Sequence, residues 1–177
     1  MKTTSLIIIA FLALALGSGY TVTKHYEEAE SENTARPDTI KGRGSLKGFT
    51  TNIEKATIEN NNYRKVLYTG KHMQLVLMSL KPGEEIGEET HQMNDQFFRF
   101  ESGNGKCLIN GTEHLVQAGD AVLVPAGAKH NVINTNKTKN LQLYAIYAIP
   151  VHKNGIVRST KAEADKNEAK FDGKTTE

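Results

Sequence analysis

Thiols, net charge and, through the middle of the chain, helical periodicity are all scarce in this 177-residue sequence. Cys107 is the single cysteine, so no intramolecular disulfide can form, and thiolate zinc ribbons and iron–sulfur clusters are excluded. Any metal must be held by imidazole, carboxylate or amide groups. There are 22 Lys and Arg against 20 Asp and Glu, a formal charge of +2 with both signs interspersed. No phosphate-tracking surface is implied, and nucleic acid is not expected as a partner. The length allows one ordinary domain and not two once the polar stretches at either end are set aside.

At the start, Met1-Lys2-Thr3-Thr4 leads into an apolar run from Leu6 to Leu16, closed by Gly17-Ser18-Gly19. A basic opening, a short apolar run and small residues at a cleavage point describe an export signal over residues 1–19, which would make the protein periplasmic or secreted. Carried on to Val22, the same run approaches the roughly 20 residues that cross a bilayer, so an uncleaved membrane anchor is the competing reading. Residues 20–47 are polar, with Glu27, Glu28, Glu30 and Glu32 followed by Pro37 and the Gly42/Gly44 pair, and read as a linker. Residues 157–177 read as a solvated polar tail in which Thr160 can cap a short helix and Glu163 can close a capping box. The folded domain is therefore expected over residues 48–156.

Within those limits apolar segments of strand length alternate with turn residues. Val66-Leu67-Tyr68, Leu75 to Met78, Phe97 to Phe100, Cys107-Leu108-Ile109, Ala121 to Val124, Val132-Ile133 and Leu141 to Tyr147 are the candidate strands. Asn110-Gly111 is the clearest hairpin signal, because both residue types tolerate the positive φ of a type I′ turn. The pattern predicts an all-β fold, an antiparallel sandwich or barrel. Leu143 to Ile149 are apolar at nearly consecutive positions, which predicts cover on both faces of the last strand, by a homodimer partner or by an N-terminal segment.

One stretch narrows this further. Gly119, Pro125, Gly127, His130 and Asn134 have the spacing G-x5-P-x-G-x2-H-x3-N: a glycine turn into a strand, a proline that ends it, a tight corner, and a histidine opening the return strand. This resembles the second motif of the cupin superfamily, a small antiparallel jelly-roll barrel. Upstream, Gly83, Glu89, His91, Gln96 and Gly103 keep the spacing of the first cupin motif, with Glu89 where that family usually has a histidine and Gln96 where it usually has a glutamate. The likeness is to the small single-domain cupins, often named as similar to mannose-6-phosphate isomerase.

Glu89 and His91 are two apart and so share a strand face. The resemblance implies that Gln96 and His130 join them. Two imidazoles, one carboxylate and one amide oxygen would suit a divalent transition metal such as Fe, Mn, Zn, Ni or Co. The competing reading is a metal-free polar cluster. Phe98 and Phe100 alternate onto the face of Gln96 and are assigned to a substrate pocket. Arg99 lies on the alternate face and is included with them as a basic group near the mouth, as Lys129 is. Cys107, His25, His72, His114 and His152 are given no role, and His114, His25 and His152 are expected at the surface.

The resemblance implies oxygenase-type or isomerase-type chemistry on a small metabolite, with Glu89 as the available base. The alternative is a module that binds or senses a metal or small molecule without turnover. A metal-free epimerase would need a His–Asp pair, and the motifs place neither Asp95 nor Asp120 for it. A phosphosugar substrate fits poorly with so few basic groups near the pocket.

Overall fold

A computed structural model describes residues 46–177, so the export signal or anchor at residues 1–19 and nearly all of the linker lie outside the described residues. A short helix, α1 (Ile53–Ile58), precedes strands β1 (Arg64–Thr69), β2 (Gln74–Leu80), β3 (Glu89–Thr90), β4 (Gln96–Ser102), β5 (Asn104–Ile109), β6 (Thr112–Gln117), β7 (Ala121–Val124), β8 (Lys129–Ile133), β9 (Leu141–Tyr147) and β10 (Val157–Arg158), and helix α2 (Lys161–Lys166) follows. All strand pairs are antiparallel. They form a six-stranded sheet in the order β10-β1-β2-β9-β4-β7 and a four-stranded sheet in the order β3-β8-β5-β6.

The two sheets close on one apolar core. Val76, Met78 and Leu80 of β2, Phe98 and Phe100 of β4, and Leu143 and Ala145 of β9 meet Cys107, Val116 and Val132 of the smaller sheet, all buried in one cluster. The alternation of β4, with Gln96, Phe98 and Phe100 buried and Phe97 and Arg99 half-exposed, is the period-2 pattern of a strand with one face inward. Each predicted strand is present. Residues 110 and 111 form the expected two-residue hairpin loop, with φ of 47° at Asn110 and 82° at Gly111, between the partners Ile109 and Thr112.

Four elements lie outside the apolar candidate strands. β6 exposes every residue except Val116, so its sequence carries no apolar alternation to read. β3 and β10 are two residues long. In α1, the Asn52 side chain caps the helix by accepting from the Lys55 N–H at 3.0 Å, a signal present in the sequence but unaccompanied by helical period. This helical segment also covers part of β9: Gln142 Nε2 donates to the carbonyls of Ile58 and Asn60.

The C-terminal segment differs from the solvated tail expected over residues 157–177. It is laid along the barrel rather than left in solvent. β10 pairs with β1, Ala164 of α2 is buried, His152 bridges to Lys170, Phe171 N–H donates to the Val151 carbonyl, and Thr176 exchanges hydrogen bonds with Thr69. The docking is mostly backbone hydrogen bonding, which polar side chains do not advertise. Thr160 caps α2 as expected, its hydroxyl accepting from Glu163 N–H, but the Glu163 carboxylate accepts from Ser159 N–H, one residue before the cap.

Where β5 passes β8 the chains approach too closely for a side chain. A Cβ on Gly105 would press into the Ile133 carbonyl and lie 2.8 Å from Leu141 Cδ2. Gly105→Ala is expected to destabilise the fold by about 3 kcal/mol, measured as a shift in the urea midpoint with unchanged slope; an unshifted midpoint would show that the strands can separate at no cost.

Candidate metal centre

β3 and β8 pair so that Glu89 and His130 are directly opposite. His91 follows two residues after Glu89, and its carbonyl accepts from the Gly127 N–H at 2.9 Å, so the Pro125-Ala126-Gly127 corner of the second motif fixes the backbone of the first. Asp95 serves the same corner, its carboxylate accepting from Ala126 N–H at 2.9 Å. Asp120 accepts from Gln117 N–H at a turn. Both aspartates thus serve turns, and neither is hydrogen-bonded to a histidine.

Glu89, His91 and His130 each offer one ligand atom within 4.8 Å of the others. Glu89 Oε2 is 3.2 Å from His91 Nε2 and 4.0 Å from His130 Nε2, while its other oxygen, Oε1, lies 3.8 Å from Arg64 Nη2. His130 Nδ1 is 3.1 Å from the Ala128 carbonyl. A carbonyl only accepts, so Nδ1 carries the proton and Nε2 presents a lone pair inward, the arrangement by which an outer hydrogen bond orients a metal-binding imidazole. Burial pushes the His130 pKa down, more than the Ala128 carbonyl and Glu89 raise it, so the ring is neutral at pH 7. Burial works to raise the Glu89 carboxyl, but the hydrogen bond from His91 and the charge of Arg64 outweigh it and leave the group below its ordinary range.

These residues fit a metal. Among the described residues, four buried side-chain polar atoms have no hydrogen-bond partner: His130 Nε2, both amide atoms of Gln96, and Arg64 Nε. Two of these residues flank Glu89. The third, Gln96, stands opposite Tyr147 in the sheet, and the Tyr147 ring meets His91 edge-on at 5.6 Å. Buried polar atoms are almost always paired, so the orphans of His130 and Arg64 on either side of Glu89 mark a place where a further group completes them. The donor set is two nitrogens and oxygen, without thiolate, which suits first-row divalent ions.

Of the residues assigned to the substrate pocket, Phe98 packs near His130, with ring centroids 6.0 Å apart. Phe100 is sealed in the core. Arg99 is on the outer face, donating to the Gly119 carbonyl and paired with Glu101 at 3.5 Å, as the strand's own alternation requires. Lys129 is at the surface beside Glu88. The cavity that includes Glu89 and His91, about 450 Å³, is instead bounded by Arg64, His152, Glu168 and Lys170.

Two residues at this cavity were missed. His152 is buried rather than at the surface, its ring edge-on to Tyr147 and its Nε2 3.4 Å from the Tyr147 hydroxyl. Its backbone is clamped by Gln74, which accepts from its N–H and donates to its carbonyl. Nothing local in the sequence signals this, because the clamp joins residues 78 positions apart. Arg64 was legible in principle: it is two residues before inward-facing Val66 on β1 and therefore shares its face.

The family described as Cupin domain matches residues 76–147, a span that contains both motifs and all three candidate ligands. An uncharacterized protein of Acanthamoeba polyphaga mimivirus is 41% identical over 110 residues, covering 60% of this chain and 69% of that protein. The crystal structure of BH2720 from Bacillus halodurans superposes with a TM-score of 0.66 at 42% identity, over 67% of this chain and 94% of that one. The chain belongs to the cupin family. This cupin is also similar to the uncharacterized protein YrkC of Bacillus subtilis, 49% identical over 124 residues, and spans 66% of that relative's length. Its barrel is the small cupin barrel, with the first-motif His and Glu positions filled by Glu89 and Gln96.

Proposed function

We propose that this cupin domain holds one divalent first-row transition metal through Glu89, His91 and His130 and presents it to a small oxygen-bearing metabolite in the adjoining cavity. The observation that carries this is the unpaired inward lone pair of buried His130 Nε2 beside Glu89 and His91. When bound, the metal would supply Lewis-acid polarisation of a ligand oxygen at its open positions. The chain's residues do the rest. Ala128 keeps His130 in one tautomer, Phe98 and Tyr147 hold the imidazoles and shed water from their inner side, and Glu89 stays ionised.

Glu89 suits a ligand better than a proton acceptor. A base for work near neutral pH needs a pKa close to 7, and this carboxyl is held below even the ordinary carboxylate range. That observation favours a second reading, in which the same centre binds or senses its ligand without turnover.

Metal analysis of the purified full chain tests the site. After chelation and reconstitution, the wild type should retain close to one equivalent of metal, and His91→Ala and His130→Ala less than about a tenth, with unchanged circular dichroism. Retention unaffected by either substitution, or less than a tenth of an equivalent in the wild type, would sink the proposal. Oxygen uptake and isomerisation across a panel of keto acids, diketones and sugars then separates the two readings: turnover that vanishes with His130→Ala supports the enzyme, and none from a fully loaded protein supports the binding module.

A further inference from the structure

Arg64 opens β1 and points inward, its side chain 9% exposed. An arginine so buried normally has its planar donors taken up by a carboxylate fork or by carbonyls. Here Nε has no partner. Glu89 Oε1, at 3.8 Å from Nη2, is a neighbouring charge beyond hydrogen-bond reach. The Tyr63 ring lies 5.7 Å from the guanidinium carbon, and a ring satisfies the face of a guanidinium but none of its in-plane N–H groups.

The charges point the same way. Glu89 and Arg64 cancel, and at the rim Glu168 and Lys170 are 3.9 Å apart and cancel in turn. A divalent ion at the triad would leave two positive charges in a cavity of about 450 Å³, a volume suited to a small ligand. Such a cavity draws in an anion. The guanidinium and the two imidazoles flank opposite oxygens of one carboxylate, Glu89, so a ligand bridging them has its negative group close to an oxygen donor.

We propose that Arg64 is the anion-binding residue of this pocket and that the ligand is a small carboxylate with an adjacent oxygen, of the 2-hydroxy or 2-oxo acid class. The adjacent oxygen rests on the metal-binding reading above. The carboxylate contact with Arg64 does not.

Isothermal titration calorimetry of the Mn²⁺-loaded full chain with glycolate and with its uncharged analogue glycolamide tests this, with metal content measured on every sample. The wild type should bind glycolate at least about tenfold more tightly than glycolamide, as expected when a charged hydrogen bond is made. Arg64→Gln should erase that preference at unchanged Mn²⁺ content, and Arg64→Lys should keep part of it. If Arg64 served only to position Glu89, Arg64→Gln would lose Mn²⁺ and weaken both probes alike, which overturns the proposal. Equal affinity of the wild type for the two probes, or a preference that survives Arg64→Gln, overturns it as well; the wild-type comparison needs no variant to fold. A wild type that retains no Mn²⁺ defeats the metal reading alone. In that case the same pair of titrations on the metal-free chain decides the role of Arg64: a preference lost in Arg64→Gln supports it, and no preference overturns it.

Discussion

Metal-free protein will lose on the order of 4 kcal/mol of folding stability between pH 7 and pH 3, and His152→Phe will remove most of that loss. Burial pushes the His152 pKa from 6.5 down to about 3, with Arg64 and His91 adding to the effect and Glu89 opposing it. In the unfolded chain the same imidazole takes up a proton below about pH 6.5. Between the two values the unfolded state binds the extra proton and the native state does not, so stability falls as pH falls and the loss is complete near pH 3. At about 1.4 kcal/mol for each pH unit of that window, the limit is between 4 and 5 kcal/mol. His130 and Glu89 work in the same direction: both are held below their ordinary values, and the stability each contributes is lost in acid. Phenylalanine keeps a ring against Tyr147 and has nothing to protonate. Urea unfolding with chelator present, at half-unit steps of pH, measures both curves. Parallel slopes for wild type and His152→Phe would mean that His152 is charged in the native state.

His152 is expected at the surface from the sequence and is buried in the structure. The strands were legible because each inward face is a local property: apolar residues at every second position of β2, β4 and β9 bounded by Gly, Pro and Asn turns. The ligands were legible because a motif fixes Glu89 to His91 along one chain and His130 after a Pro-Gly corner, and pairing of β3 with β8 brings the two together. His152 has neither kind of signal. It is buried because Gln74 grips its backbone and because the chain beyond it returns along β1, both long-range events made by polar groups. The polar tail was misjudged for the same reason. Arg64 lies between these cases, since strand alternation assigns its face, but burial of a cation is so uncommon that the alternation alone does not announce it.

Gln96→Glu is expected to have opposite effects with and without metal, each large. Gln96 occupies the position where the motif usually has a carboxylate and is buried beside Tyr147. It shares the inner face of β4 with Phe98, which touches His130, and pairs with Tyr147, which touches His91. A carboxylate placed there in the metal-free protein is a second buried negative charge near Glu89. Like charges at one site raise one of the two carboxyl pKa values, and an uncompensated buried charge costs roughly 3 kcal/mol. With a divalent ion present the same carboxylate becomes a charged ligand in place of a neutral amide, and affinity should rise about a hundredfold, equivalent to about 3 kcal/mol. The melting temperature of Gln96→Glu should therefore lie below that of the wild type in chelator and above it in saturating Mn²⁺ or Co²⁺, with the apparent metal affinity read from competition with a chromophoric chelator. A variant destabilised to the same extent in both conditions would place Gln96 outside the coordination sphere, its amide turned to water or substrate. A variant unaffected in both would mean that the new carboxyl is protonated and the site is dry and metal-free.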